Sequence, residues 1–350
     1  MSLGGRDAMT GRERALAALR GLPHDRPPVI PIVGQAGATL CGVPIYEHAH
    51  DADVLAGCQI ECARRFHYDG VYIAADTWVN AEAAGFPWME HPEDGPAGGK
   101  GTWIQSIDDI VNLEMPDPSR SGRWPLMIEA VRTAVELSEG DLLVIGNFDQ
   151  SPFSLACQLR DINQFMVDLI ENQELAHRLL AFCAEAVSRY AIAMAEAGAD
   201  VLNTGDSTAG GSLIGGEWYS QFAFPYEQQV FDAIRQVTDT PITLHICGDT
   251  RTCIDQMLQT GVEGIEVDEF MDLALAREKA ADRVTVIGNV DPVDPLLQGT
   301  PQQVKAKCRA CLEVFQGSNR FILASGCAVS PLTPPENIRA MVEAVEEFAA

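Results

Sequence analysis

The sequence predicts one α/β domain over residues 1–350, built as a (β/α)8 (TIM) barrel with an N-terminal helical extension and an insertion after the second strand. Three observations predict it. Short β-rich runs recur along the chain, eight in all, with helical stretches between them. The runs are nearly continuously apolar rather than alternating, as parallel strands covered by helices require. In the second half their spacing is regular, one helical segment to each interval, which is the rhythm of repeated strand–helix units. An open doubly wound sheet is the alternative.

Each element has its own warrant. In "TGRERALAALRG" (10–21), Thr10 and Glu13 have capping-box spacing and Gly21 suits the stop, so a helix opens the chain. The first strand is expected in "RPPVIPIV" (26–33), an apolar run in a proline-rich setting. The others are expected at 70–75, 141–147, 199–205, 240–246, 262–268, 283–289 and 319–325. "GGEWYSQFAFPYEQQVFDAIRQV", "TRTCIDQMLQTG" and "MDLALAREKAAD" supply intervening helices. In the last segment, "TPPENIRAMVEAVEEFAA", Thr333 and Glu336 read as a second capping box, and Ile338, Met341, Val342, Val345 and Phe348 form one apolar stripe. Residues 76–125 break the rhythm and read as the insertion, a hairpin with a loop over the barrel mouth.

Composition narrows the function classes. The chain is 47% apolar and carries a formal charge of −26. Such a surface repels phosphate backbones and anionic lipid, so neither nucleic acid nor membrane is an expected partner. There is no run of 18 apolar residues, and "MSLGGRD" lacks a signal-peptide pattern. Ten cysteines without framework spacing point to free thiols and a cytoplasmic, reducing setting. Cys58 with Cys62 and Cys308 with Cys311 sit at helical spacing and read as packing. Two glycine-rich stretches fail as phosphate loops. In "GPAGGKGT" (95–102) the leading glycine position of a Walker loop is Asp94, and "AGGSLIGGEW" (209–218) lacks G-x-G-x-x-G spacing.

The stretch that carries chemistry is "PITLHICGDT" (241–250). Residues two apart on a strand share a face, so His245 and Cys247 face one point if the extended geometry lasts through Cys247. Strand C-termini open onto the active mouth of a barrel. The end of the last strand, "FILASGCAVS", brings Cys327 to that mouth after a glycine. One imidazole and two thiolates form a zinc-type donor set with a position left for substrate. The residues alone leave two readings open, a packed pair of side chains or a metal site. Asp76, Asp206 and Ser207, past the second and fourth strands, are candidates for polar catalytic roles at the mouth, with loop or helix capping as the alternative for each. Asp268 is a partner of His245, a fourth ligand, or a solvated loop carboxylate.

The chain resembles the uroporphyrinogen decarboxylase superfamily over nearly its whole length. The resemblance rests on "RERALAALRGLPHDRPPV", "GADVLNTGDSTAGGSLIGGEWYSQFAFPY", "VIGNVDP" and "SGCAVSPLTPPENIRAMVEAV". Within it, the H-x-C at His245 and Cys247 and the distant Cys327 look like the zinc-dependent methyltransferases that act on methylated corrinoid proteins. That likeness implies a TIM barrel, a zinc ion on these three residues, and methyl transfer to a thiol such as coenzyme M or to tetrahydrofolate. No D-x-H-x-x-G segment is present, so the corrinoid (cobalamin) is expected on a separate partner protein. The decarboxylase branch carries arginines where this chain has Gly34 and Ala38, and a histidine where it has Cys327. A decarboxylase-like activity in tetrapyrrole metabolism and a non-catalytic barrel that binds a corrinoid protein are the alternatives. The oligomeric state is open, a homodimer included.

Overall fold

The computed structural model describes residues 9–349; the leader expectation at Met1–Asp7 lies outside them. The strands are β1 Gly70–Ile73, β2 Met89–Glu90, β3 Gly98–Gly99, β4 Leu143–Asn147, β5 Val201–Gly205, β6 Ile242–Ile246, β7 Gly264–Val267, β8 Thr285–Val290 and β9 Phe321–Ser325. Seven of them form one curled sheet in the order β1-β4-β5-β6-β7-β8-β9, and every neighbouring pair is parallel. Seven of the eight expected strands are thus present within two residues or so of their predicted bounds. β2 and β3 pair as an antiparallel hairpin inside residues 76–125, and the glycine-rich "GPAGGKGT" supplies β3 rather than a phosphate loop.

The expected first strand at 26–33 does not form as a strand. Only Val29 bridges, in parallel, to Leu323 of β9. The reason is chemical. Pro27, Pro28 and Pro31 lack N–H groups, and the Val29 N–H is taken by the Asp69 carboxylate at 2.7 Å. The segment still touches both sheet edges: Ile30 N–H donates to the Leu323 carbonyl at 2.9 Å, and Asp69 N–H to the Val29 carbonyl at 2.8 Å.

The helix Gly11–Arg20 forms with its capping box, and Gly21 ends it at φ 68°. That conformation favours glycine, and a Cβ there would also meet the Arg320 side chain at 2.6 Å. The helix Pro335–Ala349 buries Ile338, Met341, Val342 and Val345, as its stripe requires. Its expected capping box does not form. The helix starts at Pro335, so Thr333 lies one residue too early, and its buried hydroxyl has no partner. The segment 215–235 is helical but interrupted by a π turn at Tyr219–Ala223, just before Pro225. In "TRTCIDQMLQTG" only Ile254–Met257 is helical. No helix among the described residues is long and apolar enough to cross a membrane. All ten cysteines are free thiols.

Strand parity divides the core in two. One cluster lies between the sheet and its helices and takes Val144, Leu202, Leu244, Ile265, Val286 and Leu323 from the strands. The other fills the inside of the curl with Leu143, Ile145, Val201, Ile287 and Ile322, sealed by Ala15, Ala18 and Leu19 of the first helix. The N-terminal helix therefore plugs the strands' N-terminal end. Asp69, just before β1, fixes it there: its buried carboxylate takes Arg14 Nη1 at 2.5 Å and Arg26 Nη1 at 2.8 Å. Above this apolar base the inward positions turn polar.

Candidate functional site

The polar layer follows from the same parity. On β4 the inward residues run Leu143, Ile145, Asn147 and then Asp149; on β6 they run Thr243, His245 and Cys247. In register, Asn203 of β5 stands between Asn147 and Thr243, and His245 stands between Gly205 and Glu266 of β7. One network joins them. Tyr72 Oη donates to Glu266 Oε1 at 2.6 Å, and Asn203 Nδ2 donates to the same oxygen at 2.7 Å and to Thr243 Oγ1 at 2.9 Å. Asn147 Nδ2 donates to Asn203 Oδ1 at 2.8 Å. Buried polar groups that are paired in this way hold their rotamers and their strand ends.

His245, Cys247 and Cys327 meet at the rim of this layer. One ligand atom from each lies within 4.8 Å of the others. His245 Nε2 is 3.2 Å from Cys247 Sγ, so this nitrogen faces the sulfurs. Its other nitrogen, Nδ1, is buried without a hydrogen bond and lies 3.8 Å from Glu266 Oε2. Burial opposes charge on His245, but Cys327, and then Glu266 and Asp149, carry its pKa up to about 9. The hydrogen bond with Cys327 draws the Cys247 thiol below its ordinary value against the cost of burial. The same bond, with burial, pushes the Cys327 thiol up.

The cluster lines a cavity of about 410 Å³, together with Asp76, Asn147, Asp149, Ser207 and Glu266. A second cleft of about 620 Å³ meets it at Thr77 and Ser207. Gly34 stands at the cavity wall, Ala38 is buried, and among the described residues no lysine or arginine lines the cavity.

The other predicted residues fall in different places. Asp76 lines the cavity, but its carboxylate is held by Arg123 at 2.6 and 3.1 Å and by Trp78 N–H at 2.9 Å. Ser207 lines the cavity as expected. Asp206 does not: it is fully buried and accepts Ser154 N–H and Ser154 Oγ, each at 2.7 Å, at the start of the helix Pro152–Arg160. It caps that helix, the alternative the sequence left open, and burial pushes its pKa up to about 6. Asp268 is buried rather than solvated, accepts Phe270 N–H at 3.1 Å, and stands outside the three-residue group.

Sequence reasoning missed Glu266 and Asp149. The signal for Glu266 was a carboxylate inside the apolar run "VEGIEVD", and for Asp149 an acid two positions past Asn147 on the inward face. Asp149 lies against Gly205, whose N–H it accepts. A Cβ at 205 would stand 3.2 Å from Asp149 Oδ1, so the missing side chain leaves the carboxylate its place. Burial raises the Asp149 pKa to about 6, against the pull of that N–H.

With the geometry in view, the chain can be set beside known proteins. It is 31% identical to a methylcobamide:CoM methyltransferase (MtbA) of Methanosarcina acetivorans, over 97% of this chain and 98% of that one. It is 28% identical to a uroporphyrinogen decarboxylase of Alkalilimnicola ehrlichii, over 96% of this chain and 94% of that one. Among solved structures, a methyltransferase from Methanosarcina mazei superimposes with a TM-score of 0.89 at 27% identity, covering 98% of this chain and 100% of that one. The family model described as uroporphyrinogen decarboxylase (URO-D) matches residues 10–348. A match of that extent leaves no part of the sheet or of the three-residue cluster outside it, and the chain belongs to the uroporphyrinogen decarboxylase (URO-D) family.

Proposed function

We propose that this chain is a zinc-dependent methyltransferase that moves a methyl group from a methylated corrinoid protein to a thiol. The observation that carries the reading is the convergence of His245, Cys247 and Cys327 on one point in the cavity. Donor atoms on a tetrahedral zinc ion lie roughly 3.5–3.8 Å apart by the usual bond lengths. The 3.2 Å contact and the 4.8 Å bound fit such an ion, and an imidazole with two thiols is a donor set of the right softness. His245 Nε2, Cys247 Sγ and Cys327 Sγ would hold it, with Nδ1 turned to the Glu266 carboxylate, the usual backing for a metal-bound imidazole. When bound, zinc supplies the charge that keeps an acceptor thiol deprotonated at neutral pH while leaving its lone pair free. The protein's own part is placement. Tyr72 and Asn203 fix Glu266, Glu266 faces His245, and the apolar base sealed by Leu19 keeps water from the back of the site. The methyl-bearing cobalt would enter from the open mouth on its partner protein. The names of the full-length Methanosarcina relatives support this reading.

The same reading takes the chain as one (β/α)8 barrel domain, its eighth position filled by the 28–33 segment that touches β9 and Asp69. It includes residues 76–125 as an insertion beside the mouth. The free thiols support a reducing, cytoplasmic setting. The decarboxylase reading is less favoured, because the described residues bring no lysine or arginine to the cavity to hold a polycarboxylate. Uroporphyrinogen is therefore expected to pass through unchanged.

The test uses methylcobalamin in place of the corrinoid protein. Zinc-loaded protein should methylate a small thiol, and Cys247→Ala should not; Cys327→Ala should also lose zinc by elemental analysis. Equal transfer by wild type and Cys247→Ala would defeat the mechanism. Transfer only to tetrahydrofolate would keep the enzyme class and change the acceptor. Binding of a corrinoid protein without turnover would favour the non-catalytic barrel.

A further inference from the structure

The charge inventory of the cavity has a consequence for the acceptor. Three carboxylates line it: Asp76, Asp149 and Glu266. Asp76 is neutralised from behind by Arg123, itself buried and shared with Glu82. Among the described residues, His245 is the one cationic side chain beside Asp149 and Glu266. Glu266 is committed to Tyr72, Asn203 and His245. Asp149 accepts from Gly205 N–H and from the Asn147 side chain, neither of which carries a charge. Gly205 is the register partner of His245, so Asp149 meets the sheet beside the strand position that carries the imidazole. The nearest lysine on the adjoining cleft, Lys100, is exposed and paired with Glu90.

From this placement we infer that the acceptor subsite selects a cationic thiol, an aminothiol whose ammonium group pairs with Asp149, and disfavours anionic thiols such as the sulfonate in coenzyme M. The inference rests on the thiol-methylation reading above. The imidazole and two thiolates offset a divalent metal's charge without a surplus, so an anionic tail would face Asp149 and Glu266 with no counter-ion. The step balances simply. The cobalt–carbon bond breaks with its electron pair left on cobalt, the sulfur lone pair forms the sulfur–carbon bond, and the thiol proton passes to solvent.

Three probes share one S–C–C frame and differ only in the charge at its end: cysteamine, 2-mercaptoethanol and 2-mercaptoethanesulfonate. Their dissociation constants are read by calorimetry on zinc-loaded protein without any methyl donor, and their kcat/KM with methylcobalamin. A unit charge about 6 Å from another, at the effective dielectric of a partly open site, is worth roughly 10- to 100-fold in affinity. The sulfonate should therefore bind at least about tenfold more weakly than 2-mercaptoethanol. In Asp149→Asn the preference for cysteamine over 2-mercaptoethanol should shrink by about tenfold. The acidities of the free thiols are the same against both proteins, so that change in preference reads the carboxylate alone. An unchanged preference in a folded, zinc-replete variant overturns the inference, as does a wild type that binds the sulfonate most tightly. If the variant fails to fold, the wild-type order of the sulfonate and 2-mercaptoethanol decides the matter. Binding in the expected order without methyl transfer sinks the transfer reading and leaves this one standing. Fast transfer to a tightly bound sulfonate does the reverse, and no binding by any of the three overturns both.

Discussion

Glu266→Gln isolates the carboxylate behind the candidate metal centre at almost constant volume. In the wild type, Glu266 Oε1 accepts from Tyr72 at 2.6 Å and Asn203 at 2.7 Å, while Oε2 stands 3.8 Å from His245 Nδ1. The amide keeps one acceptor, which the two donors on the Oε1 side hold in place. Its NH2 is then turned toward His245 Nδ1, and a carboxylate is replaced by a donor opposite a donor. Two effects follow. The imidazole loses the charge that orients it, and a bound metal loses an anion about 6 Å away, worth roughly 3 kcal/mol for each unit of positive charge left uncompensated, at an effective dielectric near 20. Rearrangement and water entry recover part of this, so zinc affinity should fall about 10- to 100-fold, or roughly 1.4–2.7 kcal/mol. Competition against a chromophoric chelator of known affinity measures it, with thermal melting of the metal-free proteins as the control for the fold. An unchanged zinc affinity would refute the claim that Glu266 acts through His245. Equal destabilisation of metal-free and loaded protein would assign the residue to the packing of the sheet alone.

Two further predictions concern the scaffold. Asp69→Asn leaves Arg14 and Arg26 facing a neutral partner in a buried setting, and should cost about 3–5 kcal/mol by denaturant titration; a cost below about 1 kcal/mol would mean the first helix is held by its apolar face alone. His48 is fully buried with Gln59 Nε2 at 3.2 Å from its Nε2, and burial lowers its pKa from 6.5 to about 4. The unfolded chain therefore binds the proton more readily than the folded one, and stability falls as pH drops from 6.5 through about 4. Between pH 7.5 and 4.5 the wild type should lose about 2.5 kcal/mol more than His48→Gln, and parallel pH profiles would count against the assignment.

How much of this was legible in the sequence depends on what kind of signal each feature leaves. The seven sheet strands were readable because burial on both faces writes a run of apolar residues between turn residues. The segment 26–33 carries the same apolar signal, yet it bridges at one residue only. Its prolines remove the donors a ladder needs, so apolar pattern and hydrogen-bonding capacity gave opposite answers and the second one prevailed. Thr333 failed in a similar way. Its spacing to Glu336 is right for a cap, but Pro335 opens the helix, and the cap position falls on Pro334. Spacing rules of this kind test side chains and take the backbone start point for granted.

The site was legible where its residues lie close in sequence or end a strand, as His245, Cys247 and Cys327 do. It was not legible where polar residues sit singly inside apolar runs. Asn147, Asn203, Thr243 and Glu266 each look like an isolated blemish in a buried strand. Parity shows otherwise, because all four are at inward positions, while their outward neighbours Val144, Leu202, Leu244 and Ile265 are apolar. A lone buried glutamate would cost several kcal/mol, so its presence in a strand interior requires partners on neighbouring strands at the same height. Four such residues on four adjacent strands answer one another and define a layer. The apolar residues below them, from Leu143 to Ile322, need no partners and set the floor. The height at which the inward positions change from apolar to polar is thus encoded in the sequence. It places the polar chemistry on the mouth side of that boundary, where Cys327 and Asp149 meet the cavity.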